Sequence, residues 1–207
     1  MLTPSRALTV FSVLIALLLS ACATTQLTSA WKDPGYNSHP RKVMVVAVAK
    51  NPINRRVFED EFVRQLRTRG TDAFASYTVV PDASQNNQAV IAQKMKEQGA
   101  DAMLITRMVS RKTVKTYVPG TVYIPPPSYS RWGDYYGTGY AAIQTPGYVA
   151  ENEYAVMESN LYDARNDKLI WAVSSETGTE GSNQSQIQTY VKIMVENLGK
   201  QGLLGAQ

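Results

Sequence analysis

Hydrophobic runs and amphipathic stretches alternate through the first half of the chain. Residues 43–49 form a continuous apolar run rich in valine, which is typical of a strand buried on both faces of a parallel sheet. Asn51 and Pro52 then offer a helix cap and a first helical residue, and apolar side chains recur at helical spacing as far as Leu66. Gly70 is expected to end this helix.

The same pattern repeats once. Residues 73–80 predict a second strand and residues 102–109 a third. Between them, residues 86–98 carry a helical pattern that Asp82 or Ser84 can cap. Crossover connections of this length join parallel strands through right-handed crossings. The first part of the chain therefore predicts the order β-α-β-α-β.

The C-terminal part predicts a β-hairpin and a last helix. Strand alternation at residues 154–162 and 169–174 flanks a polar turn at residues 163–168. Ser182 can cap the helix that follows, and we expect residues 42–203 to form a single mixed α/β domain with this helix packed on a mixed sheet. The apolar stripe of the helix comprises Ile187, Tyr190, Val191, Met194 and Leu198.

A long insertion at residues 117–149 interrupts this domain. It holds seven of the 12 tyrosines, five of the ten prolines and five glycines. Alternating sequence at both ends predicts that its base continues two strands, whereas its middle, residues 125–140, is expected to be irregular and outside the core.

The composition of the insertion allows two interpretations. Tyrosine provides a large contact area at low entropic cost, so the insertion is a candidate binding surface for a protein partner or a glycan. The other interpretation is a loop that is flexible or packs on itself and has no binding role. The residues of the candidate surface are Tyr123, Tyr129, Trp132, Tyr135, Tyr136 and Tyr140.

The amino terminus has the pattern of a secretory signal. Residues 8–19 are almost wholly apolar but too few for a good membrane span, and small residues follow them. The segment closes with Leu19-Ser20-Ala21-Cys22, which contains the only cysteine of the chain and resembles the lipobox of bacterial lipoproteins. The resemblance implies that Cys22 becomes a diacylated first residue and that residues 1–21 are removed as a signal peptide.

A lipid anchor at Cys22 would hold the rest of the chain at the cell envelope. Ala23 is not the aspartate that, by the same resemblance, favours retention in the inner membrane, so we expect the outer membrane, facing the periplasm. Residues 22–41 are rich in threonine, serine, glycine and proline, and we interpret them as the acylated terminus and a tether that lifts the domain off the membrane. Trp31 within this tether is expected to dock on the domain.

The charge balance and the inventory of reactive side chains argue against an enzyme. With 21 Lys and Arg against 17 Asp and Glu and no long basic run, a nucleic-acid partner has little support. The only histidine, His39, lies in the predicted tether, so neither a Ser-His-Asp set nor a zinc site is expected. The adjacent carboxylates Glu59, Asp60 and Glu61 are expected on the solvated side of a helix. We therefore predict no catalysis, no metal and no cofactor.

Two resemblances bear on function. The order of elements over residues 43–200 resembles the small α/β domain of envelope lipoproteins and of the amino-terminal part of TolB. The segments Trp31-Lys32-Asp33-Pro34 and Arg55–Phe62 also resemble uncharacterised lipoproteins. Those lipoproteins carry no established activity to transfer. From the predicted anchor and the missing catalytic groups, we expect a membrane-anchored, non-catalytic interaction or assembly module with an envelope protein or a glycan as partner. The alternative is a carrier that binds a glycan or lipid through the insertion; the oligomeric state stays open.

Overall fold

A computed structural model describes residues 25–120, 147–180 and 182–205. These residues form six strands in one sheet and three α-helices, so the prediction of a mixed α/β fold is confirmed. The strands are β1 (Thr25–Lys32), β2 (Lys42–Val48), β3 (Asp72–Ala75), β4 (Ala102–Val118), β5 (Tyr148–Asp163) and β6 (Leu169–Gly178). The helices are α1 (Pro52–Thr68), α2 (Gln88–Glu97) and α3 (Asn183–Lys200).

The sheet is mixed, with the strand order β1-β6-β5-β4-β2-β3. Strands β3 and β4 run parallel to β2, as the two crossover connections require, and β1 runs antiparallel to β6. The ion pairs Arg107–Glu158 and Lys115–Glu151 show that β5 runs antiparallel to β4, because the number rises on one strand while it falls on the other. A tight turn reverses the chain between β5 and β6. The last residues of β2 and β6 and the first residue of β1 therefore lie at one end of the sheet, which we call the carboxyl end.

Helices cover both faces of the parallel part of the sheet. Val43 points to one face, where it is buried with Phe62 of α1 and Met194 of α3. Its neighbour Met44 points to the other face and is buried with Met95 of α2. Two apolar clusters on opposite sides of β2 explain why the sequence of this strand is a continuous apolar run.

The described residues separate into two compact units. One holds the chain up to Arg111 and from Ala155 onward, and the other is Lys112–Tyr154. Within the second unit, β4 reaches Val118 and β5 begins at Tyr148, which confirms the predicted strand extension at the base of the insertion. The predicted irregular middle of the insertion lies outside the described residues.

The predicted tether is partly a strand instead. Thr25–Lys32 forms β1 at the edge of the sheet, where it pairs with β6 from Thr25 opposite Thr177 to Lys32 opposite Trp171. Without β1, the backbone N–H and C=O groups along this edge of β6 would lack a partner in the sheet. Trp31 joins the domain as a residue of this edge strand, opposite Ala172, and its side chain is 48% exposed and not part of the core.

Two further boundaries differ from the prediction. Strand β3 ends at Ala75, five residues early, because the chain turns into a short 3₁₀ helix over Ser76–Thr78. Helix α2 is capped by Asn87, whose side chain accepts hydrogen bonds from two backbone N–H groups of the first turn, and not by Asp82 or Ser84. Asp82 does not cap this helix because its carboxylate binds Arg55 and Arg56 of α1.

The remaining helix ends follow the sequence signals. Asn51 caps α1 with a 2.8 Å bond from Ile53 N–H, and Gly70 follows the helix with φ near +79°, a left-handed conformation that glycine adopts without strain. Ser182 caps α3. The five residues of the predicted α3 stripe are all buried, so the orientation of this helix was predicted correctly.

Candidate functional site

The residues singled out by the sequence lie outside the part of the chain that the structure describes. These are Cys22 and the six aromatic residues Tyr123, Tyr129, Trp132, Tyr135, Tyr136 and Tyr140. The structure instead shows the strands that lead into and out of the insertion. Their side chains include Tyr117, Tyr148 and Val149, which are 67%, 60% and 55% exposed.

Within the unit Lys112–Tyr154, an ion pair joins β4 to β5, and the ring of Tyr117 packs closely on Gly147. Lys115 Nζ lies 2.6 Å from Glu151 Oε1, an exposed ion pair of small energetic value. The ring of Tyr117 lies over Gly147 so closely that a Cβ atom at residue 147 would come within 2.8 Å of its Cζ atom. Packing therefore favours glycine at position 147, because the Cβ atom of any other residue would displace the ring of Tyr117.

The first unit has a cleft of about 180 Å³ at the carboxyl end of β2. Strands β3 and β4 lie on either side of β2, and the helices that follow β2 and β3 pack on opposite faces, so the connections diverge here. In open α/β sheets, such a divergence leaves a crevice at which ligands commonly bind. The lining is mainly aliphatic and comprises Val46, Ala47, Val48, Ala49, Lys50, Arg55, Gln85, Asn86 and Ile91.

Arg55 forms part of the wall of the cleft and is 1% exposed. Its guanidinium donates to Glu59 Oε1 at 3.1 Å, to Asp82 Oδ1 at 3.0 Å and to Ser76 Oγ at 2.8 Å. A longer bond of 3.3 Å reaches the carbonyl oxygen of Val80. A buried charge requires such partners because its desolvation is costly, and here two carboxylates supply them.

Glu59 is the second buried charge and accepts hydrogen bonds from three directions. Ala47 N–H of β2 donates at 3.0 Å, Ser76 Oγ at 2.7 Å and Tyr77 N–H at 2.9 Å, in addition to the bond from Arg55. The carboxylate of Glu59 thus connects the end of β2, the first turns of α1 and the chain that follows β3. We call the set Arg55, Glu59, Ser76 and Asp82 the buried polar network.

Electrostatically, the buried polar network is close to neutral. Arg56 also binds Asp82, at 2.8 Å, so two arginines face two carboxylates. The hydrogen bond from Arg56, aided by the charge of Arg55, holds the pKa of Asp82 below its ordinary value and keeps it ionised. The guanidinium in the cleft wall is therefore already paired, and its chemistry here is to fix the fold.

The expectation of a solvated carboxylate cluster was thus wrong for Glu59, which is fully buried, and for Glu61, which is 9% exposed beside Arg64. Only Asp60 is exposed, where it accepts a hydrogen bond from the hydroxyl of Tyr77. A signal was present in the sequence, because Arg55, Glu59, Phe62 and Leu66 have the spacing i, i+4, i+7 and i+11 of a single helix face. The two charged residues continue the apolar stripe and so share its burial.

A second buried polar cluster lies beneath α3. The hydroxyl of Tyr190 is 2.7 Å from Ser159 Oγ and 3.0 Å from Thr106 Oγ1, and those two oxygens are 3.0 Å apart. Burial raises the pKa of Tyr190 to about 12, against the smaller opposing effect of these hydrogen bonds. Three hydroxyl groups that satisfy one another supply no general base, so the cluster serves packing and specificity.

The described residues contain neither a metal-binding cluster nor a membrane-spanning helix. Among them, no group of three or more His, Cys, Asp or Glu side chains is placed to hold a metal ion. Across these same residues, none of the helices has the length and apolar character needed to cross a bilayer.

Among solved structures, the chain is similar to two bacterial proteins. The chain is similar to the PelC dodecamer protein of Paraburkholderia phytofirmans, with 12% identity, a TM-score of 0.48, and coverage of 89% of this chain and 100% of that one. It is also similar to the lipoprotein GNA1162 of Neisseria meningitidis, with 18% identity, a TM-score of 0.41, and coverage of 78% of this chain and 99% of that one. No family model matches the chain, and no curated protein matches it significantly. With TM-scores below 0.5, these similarities carry no functional conclusion, and the resemblance to TolB stays a prediction.

Proposed function

We propose that this chain is an outer-membrane lipoprotein that is acylated at Cys22 and acts in the periplasm as a non-catalytic interaction or assembly module. The partner is an envelope protein that binds the Tyr-rich insertion at residues 117–149. A membrane anchor with two acyl chains supplies the two signals that stable attachment needs.

One observation carries the proposal. In the first unit, the polar side chains of the two buried clusters are fully engaged in contacts within the fold, and in the second unit the strands carry exposed aromatic and aliphatic side chains up to the insertion. Tyr117, Tyr148 and Val149 are all more than half exposed. Exposed tyrosine on a paired strand is a rigid contact group that loses little entropy on binding. This favours recognition by the second unit over chemistry in the first.

Acylation is tested by metabolic labelling with a palmitate analogue. Wild-type protein should incorporate the label, and Cys22→Ala should not and should keep its signal peptide. Equal labelling of both proteins would contradict acylation at Cys22.

Binding is tested by a photo-cross-linking amino acid placed at Tyr148 in living cells, with Lys168, in the turn between β5 and β6, as the control position. We expect a discrete protein adduct from position 148 and none from position 168. Replacement of residues 128–140 by a short Gly-Ser linker should abolish the adduct and leave the melting temperature nearly unchanged, because loop length contributes little to closure entropy. A glycan or lipid adduct would favour the carrier function instead, and the absence of any adduct would overturn the interaction role.

A further inference from the structure

The two edges of the sheet differ in how they are protected. At one edge, β3 is only four residues long, and Nε of Arg67 in α1 donates to the carbonyl oxygen of Ala73 at 2.9 Å. The same nitrogen lies 4.0 Å from Asp72 Oδ1. A short edge strand with charged side chains along it resists pairing with another chain. The edge at β3 is therefore closed to a further strand.

The edge at β1 is open. Strand β1 is eight residues long, contains no proline and is the last strand of the sheet on its side. Its residues 26–31 are all exposed, so the described residues leave this edge accessible. Lys32 is the only charged residue of the strand, and its Nζ is directed away to the carbonyl oxygen of Gln201 at 2.9 Å. A long edge without charges invites pairing with another strand.

The hydrogen bonds to β6 show which backbone groups of β1 point outward. Asp33 N–H, just after the strand, donates to the carbonyl oxygen of Ile170 at 2.8 Å. In an antiparallel ladder, residues whose N–H and C=O groups face the partner alternate with residues whose groups face away. Two and four residues before Asp33, Trp31 and Ser29 therefore also face β6. The N–H and C=O groups of Ala30 point away from the sheet.

A β-bulge limits the part of β1 that a further strand can follow. The register of β1 with β6 shifts between Leu27 and Ser29, and it is regular from Ser29 to Lys32. A bulge bends its strand and increases the local twist. We therefore expect a partner strand to pair with residues 29–32 and not with all eight residues.

A second copy of the chain matches the outward groups of Ala30 by symmetry. When two β1 strands run antiparallel about a two-fold axis at Ala30, each Ala30 N–H meets the Ala30 carbonyl oxygen of the other copy, and both bonds of the pair form. Trp31 then lies opposite Ser29 of the other copy, on one face of the joined sheet, and no two like charges are opposite each other. Because the edge at β3 is closed, this assembly ends at two copies and does not grow into a filament.

We infer that two copies of this chain pair through residues 29–32 of β1, centred on Ala30, and that their sheets join into one continuous sheet. This contact belongs to the first unit and goes beyond the binding role proposed for the insertion. It rests neither on that role nor on the acylation of Cys22. A strand of a different protein is the other occupant to be tested.

The first test introduces Ala30→Cys into the full chain in living cells. The Cα atoms of a hydrogen-bonded antiparallel pair are about 5.5 Å apart, a distance that a disulfide can span. The matched control is Gln26→Cys on the same exposed strand, because the two copies of position 26 would be about 26 Å apart, or eight residues. After oxidation, we expect at least about tenfold more cross-linked dimer from position 30 than from position 26.

Mass spectrometry of the linked peptides decides what the cross-link means. A peptide that joins position 30 to position 30 supports the inferred pair, and it is distinct from a disulfide formed by an unblocked Cys22. No such peptide, or equal cross-linking from positions 26 and 30, would overturn the pairing. A disulfide from position 30 to a different protein would overturn the second copy as the occupant.

A proline variant separates the contact from the fold. Because the Ala30 N–H points away from β6, Ala30→Pro removes the outward donor but no hydrogen bond of the sheet. Sedimentation of the full protein in detergent should show a dissociation constant at least about tenfold higher than that of the wild type, with a nearly unchanged melting temperature. Ala30→Val keeps the donor and should remain dimeric. A monomeric wild type, an equally dimeric Ala30→Pro, or a large loss of melting temperature in Ala30→Pro would contradict the inferred geometry.

Discussion

Helices α1 and α3 lie on the same face of the sheet and have nearly equal lengths, 17 and 18 residues, yet they are held in different ways. Helix α3 buries six residues, all apolar apart from the hydroxyl of Tyr190. Helix α1 buries only two apolar residues, Phe62 and Leu66, together with the charged residues Arg55, Glu59 and Glu61.

The difference assigns separate roles to the two helices: the apolar contacts of α3 mainly stabilise the fold, and the polar contacts of α1 mainly determine which arrangement forms. Apolar burial stabilises α3 roughly in proportion to area and is insensitive to direction. The buried polar network of α1 is directional, since Glu59 must meet Ala47 N–H and Tyr77 N–H at once. Buried ion pairs contribute little net stability, because desolvation offsets their attraction, and our hypothesis is that this pair fixes one arrangement over others. We therefore expect α3 to anchor the fold energetically and α1 to set the register of β2 and the chain after β3.

The largest effect should come from a charge placed in the α3 stripe. Met194 is fully buried, and Met194→Asp would put a carboxylate there without a partner. We expect a loss of about 5 kcal/mol or more, enough to unfold a typical domain. Gln188→Asp, on the exposed side of the same helix, should change the free energy of unfolding by less than about 0.5 kcal/mol. Two equally mild thermal melts would contradict the role given to α3.

The next largest effect concerns the buried pair on α1. Glu59→Leu leaves the guanidinium of Arg55 short of one carboxylate and removes the acceptor of two backbone N–H groups, so we expect a loss of about 3–5 kcal/mol. The double variant Arg55→Met with Glu59→Leu should lose at least about 1 kcal/mol less than the sum of the two single variants. Denaturant unfolding of all four proteins measures this coupling, with Asp60→Asn as an exposed control. Strict additivity would show that the two charges act independently.

The same contrast explains why the buried face of α3 could be predicted from the sequence and that of α1 could not. The α3 stripe has one chemical character, so its period of 3.6 predicted the buried face directly. On α1 the stripe changes from charged to apolar at Phe62, and the usual expectation that charges face solvent concealed Arg55 and Glu59. Their partner Asp82 lies 27 residues from Arg55 along the chain, and only the folded structure brings the two together. The cleft has the same origin, because it depends on which side of β2 each crossover turns.

A comparable limit applied to β1. Its sequence is polar, and an edge strand with both faces largely exposed has no apolar alternation to mark it. Its pairing with β6 follows from the unsatisfied edge of that strand and not from local preference. The consequence bears on the proposed function, because with β1 in place of a tether an acylated Cys22 would lie only three residues from the sheet.

Tyr190 of α3 contacts α1 and also takes part in a buried polar cluster. Its ring forms edge-to-face contacts with Phe58 and Phe62 of α1, at centroid distances of 6.0 and 6.1 Å. Such contacts contribute about 0.5–1.5 kcal/mol each beyond the area they bury. Its hydroxyl meanwhile needs Ser159 and Thr106 as partners. The tyrosine therefore combines the apolar packing of α3 with a directional polar contact.

The smallest of the three effects should appear only at high pH. Burial raises the pKa of Tyr190 from 10.0 to about 12, so between these values the unfolded chain releases a proton that the folded protein retains. The associated stability is complete below pH 10 and is lost as the pH rises to 12, and two pH units correspond to about 2.7 kcal/mol. Tyr190→Phe should be less stable at pH 8, because Ser159 and Thr106 lose a partner, but it should show a shallower decline between pH 10 and 12. Tyr36, whose pKa is raised by burial, and Tyr77, whose pKa is raised by its hydrogen bond to Asp60, occur in both proteins and cancel in the difference. Urea unfolding of the two proteins across this range measures the difference in slope, and parallel declines would show that the Tyr190 hydroxyl is not buried in the folded state.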